Sequence, residues 1–189
     1  SESTLLGLFK DGKSTSEAVE GDDVEVILDR TPFYAEGGGQ LADGGYIHGA
    51  NGSLIEIDDV QTPIPGVFVH RGRITKGSWQ SGTAVHAAID VERRRGISRA
   101  HTATHMVHKA FREVLGETAT QAGSENAPGR FRFDFPSAGA VSEAALNEVE
   151  SRVNTLLLED LEVIAEEMSQ AEAKAIGAMA LFGEKYGER

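Results

Sequence analysis

The chain has 189 residues and no cysteine, with 18 basic against 30 acidic side chains and a net charge of -12. Disulfides and thiolate chemistry are thereby excluded, and the charge has the wrong sign for holding nucleic acid by bulk electrostatics. No apolar run approaches the roughly 18 residues that cross a bilayer, and no leader opens the chain, which predicts a cytoplasmic protein with no membrane and no DNA partner.

Residues 7–14 match the phosphate-binding loop pattern letter for letter, Gly7 through Lys13-Ser14. That motif needs a buried strand before it and a helix after it. Only six residues precede Gly7, and Gly21 follows within seven residues of Ser14. Asp11-Gly12 instead predicts a hairpin turn, and no nucleotide site is expected. Up to about Asp90 the pattern is β. Residues 24–28, 54–57, 67–74 and 84–90 are short apolar or alternating runs. Glycine-rich turns at 37–39, 44–45, 49–52 and 63–66 separate them, as in a small barrel or sandwich.

From Val91 the period changes. Ile97, Ala100, Thr104, Val107, Phe111, Val114 and Leu115 recur at helical spacing, with Gly116 as a stop. Residues 130–135 alternate, with Phe131, Phe133 and Phe135 on one face, which predicts a half-buried strand. Ser142 opens a helix whose apolar stripe is Ala145, Leu146, Val149, Val153, Leu156 and Leu157. Residues 161–165 read as a further strand, and the Ser169/Glu172 capping pair starts a short helix running to about Gly177. The expected fold class is α+β: a small β-barrel-like part at 1–90, then at 91–189 an antiparallel sheet packed with helices.

His101 and His105 lie at i and i+4, on one helical face one turn apart. Their nitrogens can reach one metal at about 2.0–2.1 Å, or the two rings simply pack half-buried. His108 lies about 10 Å along the axis from His101, too far to share that ion, and reads as packing or an outer support. Arg93, Arg94, Arg95 and Arg99 form a local basic patch that either meets phosphates or is a salt-bridged helix end.

Four blocks, in order, resemble the editing domains of alanyl-tRNA synthetases and their free-standing relatives. These are Thr31 to Gln40 (TPFYAEGGGQ), His101 to His105 (HTATH), Gln121 to Ser124 followed by Arg132 to Phe135, and Gly177 to Gly187 (GAMALFGEKYG). The last block is similar to the full synthetase rather than to the free-standing proteins, and threonyl-tRNA synthetase editing domains share only the histidine helix. The resemblance implies hydrolysis of tRNA(Ala) mischarged with serine or glycine, with the acceptor end and the remainder of the synthetase as partners. It implies zinc on His101 and His105. The family completes that site with a later Cys-x-x-x-His pair that this chain lacks, so weak or absent zinc is expected here. Its ATP-binding aminoacylation domain lies upstream. Thr104 and Gln121 are the implied catalytic residues. Thr31, Gly37, Gly38, Gly39 and Gln40 are implied in substrate binding, with the glycines admitting close backbone approach. Arg93, Arg94, Arg95, Arg99 and Arg132 are implied at the tRNA phosphates. Each of Thr31, Thr104 and Gln121 also reads as an ordinary cap, turn or surface residue.

Overall fold

Asp11 and Gly12 both take positive φ, 52° and 71°, as a two-residue type I′ turn requires. They join β1 (Glu2–Lys10) to β2 (Lys13–Ser14) as an antiparallel hairpin. The phosphate-loop spelling therefore has no strand–loop–helix behind it. This is a computed structural model, and it describes residues 1–164 and 166–178. The chain forms two units, Ser1–Val153 and Asn154–Arg189.

The first unit begins with an antiparallel barrel. β4 (Asp23–Leu28), β5 (Gly45–His48), β6 (Leu54–Ile64), β7 (Val67–Lys76) and β9 (Ala84–Ile89) join β1 in the order β1-β4-β7-β6-β5-β9, and β9 pairs back onto β1 to close it. β3 (Glu17–Val19) and β8 (Ser78–Gln80) form a small separate sheet. Alternation drives the architecture: β4 and β5 bury every second residue. The inward side chains Leu5, Leu8, Val26, Ile47, Ile55 and Ile74 are wholly buried, with Trp79 among them. Each large aliphatic buried in this way is worth about 1.5–3 kcal/mol. The glycine pair read as a turn at 44–45 in fact opens β5 at Gly45. Pro65-Gly66 turns the chain between β6 and β7.

α1 (Val91–Leu115) follows the barrel directly, capped by Asp90, whose side chain accepts from the Arg93 amide, and ended at Gly116. It buries Gly96, Ile97, Ala100, Thr104, His108 and Phe111 on one face. β10 (Gly123–Ala127) and β11 (Arg130–Asp134) form an antiparallel hairpin packed on it. Phe111, Phe133, Phe135, Val149 and Val153 share a second apolar cluster. Val149 and Val153 come from α2 (Glu143–Leu158), whose last residues belong to the second unit. The α+β class and the barrel-like first part are as the sequence predicts. Phe131 departs from its expected face: it is 37% exposed, while Phe133 and Phe135 pack.

In the second unit the strand expected at 161–165 is not formed over 161–164, and Ala165 lies outside the described residues. Leu161, Val163 and Ile164 are exposed there. A strand is stabilised only by a partner, and a short apolar run by itself supplies none. The capping box forms as expected: Ser169 accepts from the Glu172 amide, and α3 (Gln170–Ala175) follows. Of the GAMALFGEKYG block, residues 179–187 lie outside the described residues. Among the described residues no helix is long and apolar enough to cross a membrane.

Candidate functional site

α1 turns its apolar stripe inward, and His101 and His105 sit at the border of that stripe. His101 is half-buried and His105 exposed. Their rings stack with centroids 5.2 Å apart and planes 20° apart. Burial, and next the neighbouring His105, push the His101 ring below the usual imidazole range. Both effects favour the neutral ring, the state a metal ligand requires. Its Nδ1 lies 3.0 Å from Gln40 Oε1. An amide oxygen can only accept, so Nδ1 carries the proton and Nε2 keeps its lone pair. Outer hydrogen bonds of this type fix the tautomer of ligating histidines.

Gln40 ends the glycine-rich loop, and that loop is pinned from two sides. Gly37 and Gln40 exchange backbone hydrogen bonds at 3.1 and 2.9 Å. Gln40 forms a parallel bridge with Asn126 of β10. The Asn126 amide donates to the Gly39 carbonyl at 2.6 Å, and Leu41 donates to the Asn126 carbonyl at 3.2 Å. Gly39 has φ +76°, and a Cβ there would run into the Ser124 hydroxyl and come 2.9 Å from its carbonyl oxygen. Only glycine combines that dihedral with that approach. Ser124 Oγ in turn accepts from Gln121 Nε2 at 3.1 Å. A continuous line therefore runs from His105 and His101 through Gln40 and the loop to Ser124 and Gln121. Beside it lies an open cavity of about 410 Å³, lined by Glu36, Gly37, Gly39, Ser124, Glu125 and Arg132 among others.

The remaining sequence-derived residues are placed elsewhere. Thr104 is 3% exposed and points at β10: its hydroxyl lies 2.9 Å from the Ala100 carbonyl and 2.5 Å from Asn126 Oδ1. Thr31 belongs to the barrel. The Val26 carbonyl, 3.0 Å from His70 Nδ1, can only accept, so Nδ1 donates and Nε2 is the acceptor for the Thr31 hydroxyl at 2.7 Å. Thr31 Oγ1 also accepts from the Phe33 amide at 3.1 Å. Burial pushes the His70 ring below its usual range, in keeping with this neutral chain.

The arginines also divide. Arg94 forms a forked ion pair with the wholly buried Asp43 and donates to the Pro32 carbonyl. Hydrogen bonding to Asp43 raises the Arg94 pKa. Asp43 Oδ2 also accepts from the Tyr34 amide at 2.8 Å. Arg93 donates twice to the Ala42 carbonyl. These two arginines fasten the loop's flanks to the first turn of α1. Arg95 pairs with Glu92 at the surface. Arg132 lies beside Asp134 at 3.1 Å, and Arg99 is exposed. Asp43, His70 and Asn126 carry this framework and were not singled out from sequence, because their partners are distant along the chain. Ser124 entered only within the Gln121–Ser124 block, and its approach to Gly39 had a visible signal in the triple glycine.

Two imidazoles on one helical face, one with its outer nitrogen already committed, suit a zinc ion as donors. Zinc sites use three or four protein ligands, and among the described residues no three His, Cys, Asp or Glu side chains converge. His101 and His105 could supply two of those ligands, and among the described residues there is no third.

Residues 1–93 match the family model for class II (A) tRNA synthetases. The whole chain is 63% identical over 188 residues to an alanine–tRNA ligase of Nocardioides sp., and 62% identical over 188 residues to that of Acidothermus cellulolyticus. The match to an alanine–tRNA ligase of Bifidobacterium longum is 54% over 185 residues, 97% of the chain. In each case the chain spans about a fifth of the relative's length, 21%.

Proposed function

We propose that this chain, related over its whole length to one segment of alanine–tRNA ligases, is the part that removes wrongly attached amino acid from tRNA(Ala) by hydrolysis. The observation that carries this reading is the tie between the two histidines and the triple-glycine loop through Gln40. It sets imidazole nitrogens, backbone groups and the Gln121–Ser124 polar pair along one line.

The chemistry is hydrolysis of the ester joining an amino acid to the terminal ribose. A synthetic pocket that accepts alanine rejects an added hydroxyl only about 10²-fold. A second site that hydrogen-bonds the serine hydroxyl discriminates far more strongly, because alanine leaves its buried polar groups unpaired. Gln121 and Ser124 present an amide and a hydroxyl for that purpose. The backbone of Gly37 to Gly39, with no side chains, leaves room for the ester. Glycine carries no hydroxyl to meet that pair, so the Gln121–Ser124 contact supports serine as the substrate. His101 and His105 would hold zinc through their free nitrogens, with Gln40 orienting His101. Zinc bound there supplies a Lewis acid for water or an anchor for the substrate amino group. Thr104 supports the site from within, holding α1 to β10. Arg95, Arg99 and Arg132 are the exposed arginines of the sequence-derived set and are proposed to meet acceptor-end phosphates, Arg95 and Arg132 by exchanging their surface ion pairs with Glu92 and Asp134, since Arg93 and Arg94 are engaged in the fold.

The test uses the full-length ligase. His101→Ala and Gln121→His are each expected to slow deacylation of Ser-tRNA(Ala) at least tenfold while alanine activation is unchanged. Wild-type deacylation rates in both variants would overturn the reading.

A further inference from the structure

On the outer face of the barrel, three strands set their outward side chains in one row. Glu2 of β1 is paired with His86 of β9, and His86 with His48 of β5. Directly opposed residues carry Cβ atoms about 4.5–5.5 Å apart. The intervening residues Ser3, Ile47, Val85 and Ala87 are buried, which fixes the row on a rigid face. Glu2 Oε1 lies 2.7 Å from His86 Nδ1. A carboxylate can only accept, so Nδ1 donates and Nε2 is the ring nitrogen left for a metal. The hydrogen bond from His86 holds the Glu2 carboxyl below its usual range. The His48 ring lies 6.3 Å from the His86 ring, and both side chains are exposed.

We propose that His48 and His86 form a surface site for a late divalent transition-metal ion, copper(II) foremost, with Glu2 as the outer partner that orients His86. The site is separate from the editing reading and does not depend on it. A metal about 2.0 Å from each nitrogen brings the two ring centroids to about 4.5–5 Å. Rotation of the exposed His48 side chain supplies that closure, since the strands already fix both Cα positions. Two imidazoles leave the other positions to water, a donor set that suits tetragonal copper(II) or nickel(II) better than zinc. A carboxylate hydrogen-bonded to the outer nitrogen raises the basicity of the ligating ring. His70 and His108 are buried, so solvent metal meets imidazoles only at this pair and at His101/His105.

The whole chain is titrated with copper(II) near neutral pH and followed by calorimetry and electron paramagnetic resonance. The His48→Asn/His86→Asn double variant is expected to lose one nitrogen-ligated copper per chain, while His101→Asn/His105→Asn keeps it. Glu2→Gln weakens that site about 10–100-fold. Circular dichroism melts confirm that these exposed substitutions leave the fold intact. An unchanged titration in His48→Asn/His86→Asn, or loss of all bound copper in His101→Asn/His105→Asn alone, overturns the site. An unchanged affinity in Glu2→Gln overturns the role of Glu2.

Discussion

Replacing Gly39 by alanine tests how the glycine loop is held, with Gly38→Ala as its control. Both glycines have positive φ, +58° at Gly38 and +76° at Gly39, so each substitution carries a dihedral cost of about 1–2 kcal/mol. They differ in what the new methyl meets. Nothing lies within 4 Å of it at position 38, whereas at position 39 it strikes the Ser124 hydroxyl and sits 2.9 Å from the Ser124 carbonyl oxygen. Overpacking of this sort adds about 1–3 kcal/mol, and the contact on the carbonyl side is backbone, which yields little. Gly39→Ala should therefore be less stable than Gly38→Ala by about 2 kcal/mol, or roughly 4–8 °C in Tm for a chain of this size. Thermal unfolding by circular dichroism measures both. Ser124→Ala in the Gly39→Ala background should restore part of the loss, since it removes the hydroxyl and leaves the carbonyl. Equal melting temperatures for the two glycine variants, or the reverse order, would refute the reasoning.

The Asp43–Arg94 pair makes a second prediction: Arg94→Ala should cost about 3–5 kcal/mol, because it strands the wholly buried Asp43 carboxylate, and urea unfolding reads it. Gln40→Ala in the full-length ligase should slow Ser-tRNA(Ala) deacylation about 10–100-fold, the usual effect of losing an outer hydrogen bond to a metal ligand, with alanine activation unaltered. His70 predicts a pH effect. Its folded pKa is depressed by burial, so the unfolded chain takes up a proton near pH 6.5 that the folded chain refuses. Its contribution is intact above that pH and is lost as pH falls toward the folded value, at about 1.4 kcal/mol per pH unit. His101 and His108 shift in the same direction, so the diagnostic is the difference: His70→Asn should show a shallower acid-side slope than the parent, and equal slopes would contradict the buried neutral ring.

Strands written as short apolar or alternating runs between turn residues were legible in the sequence. Residues 24–28 and 84–90 appear as β4 and β9 within a residue or so. The long helix was legible too, because its buried positions recur at helical spacing and Gly116 ends it. The short strands β3 and β8 were not, since three residues carry no period. Residues 161–164 failed in the opposite sense: three of the four are apolar, but among the described residues no strand pairs with them. At the site, the HxxxH spacing and the triple glycine could be read directly. Their meeting through Gln40 could not, because that contact spans 61 residues. Local pattern is equally silent about which of several arginines is consumed inside the fold; Arg94 differs from Arg95 only in facing Asp43.

The clasp between the loop and β10 also decides where the molecule can be cut. A chain ended after β9, at Ile89, would keep every strand of the barrel. It would nevertheless leave the Asp43 carboxylate interred without its guanidinium, and would strip the backbone of Gly39 and Leu41 of the neighbour that satisfies it. Such a truncated barrel would carry a bare internal anion and a raw, adhesive rim, so it should aggregate where the longer chain remains dispersed.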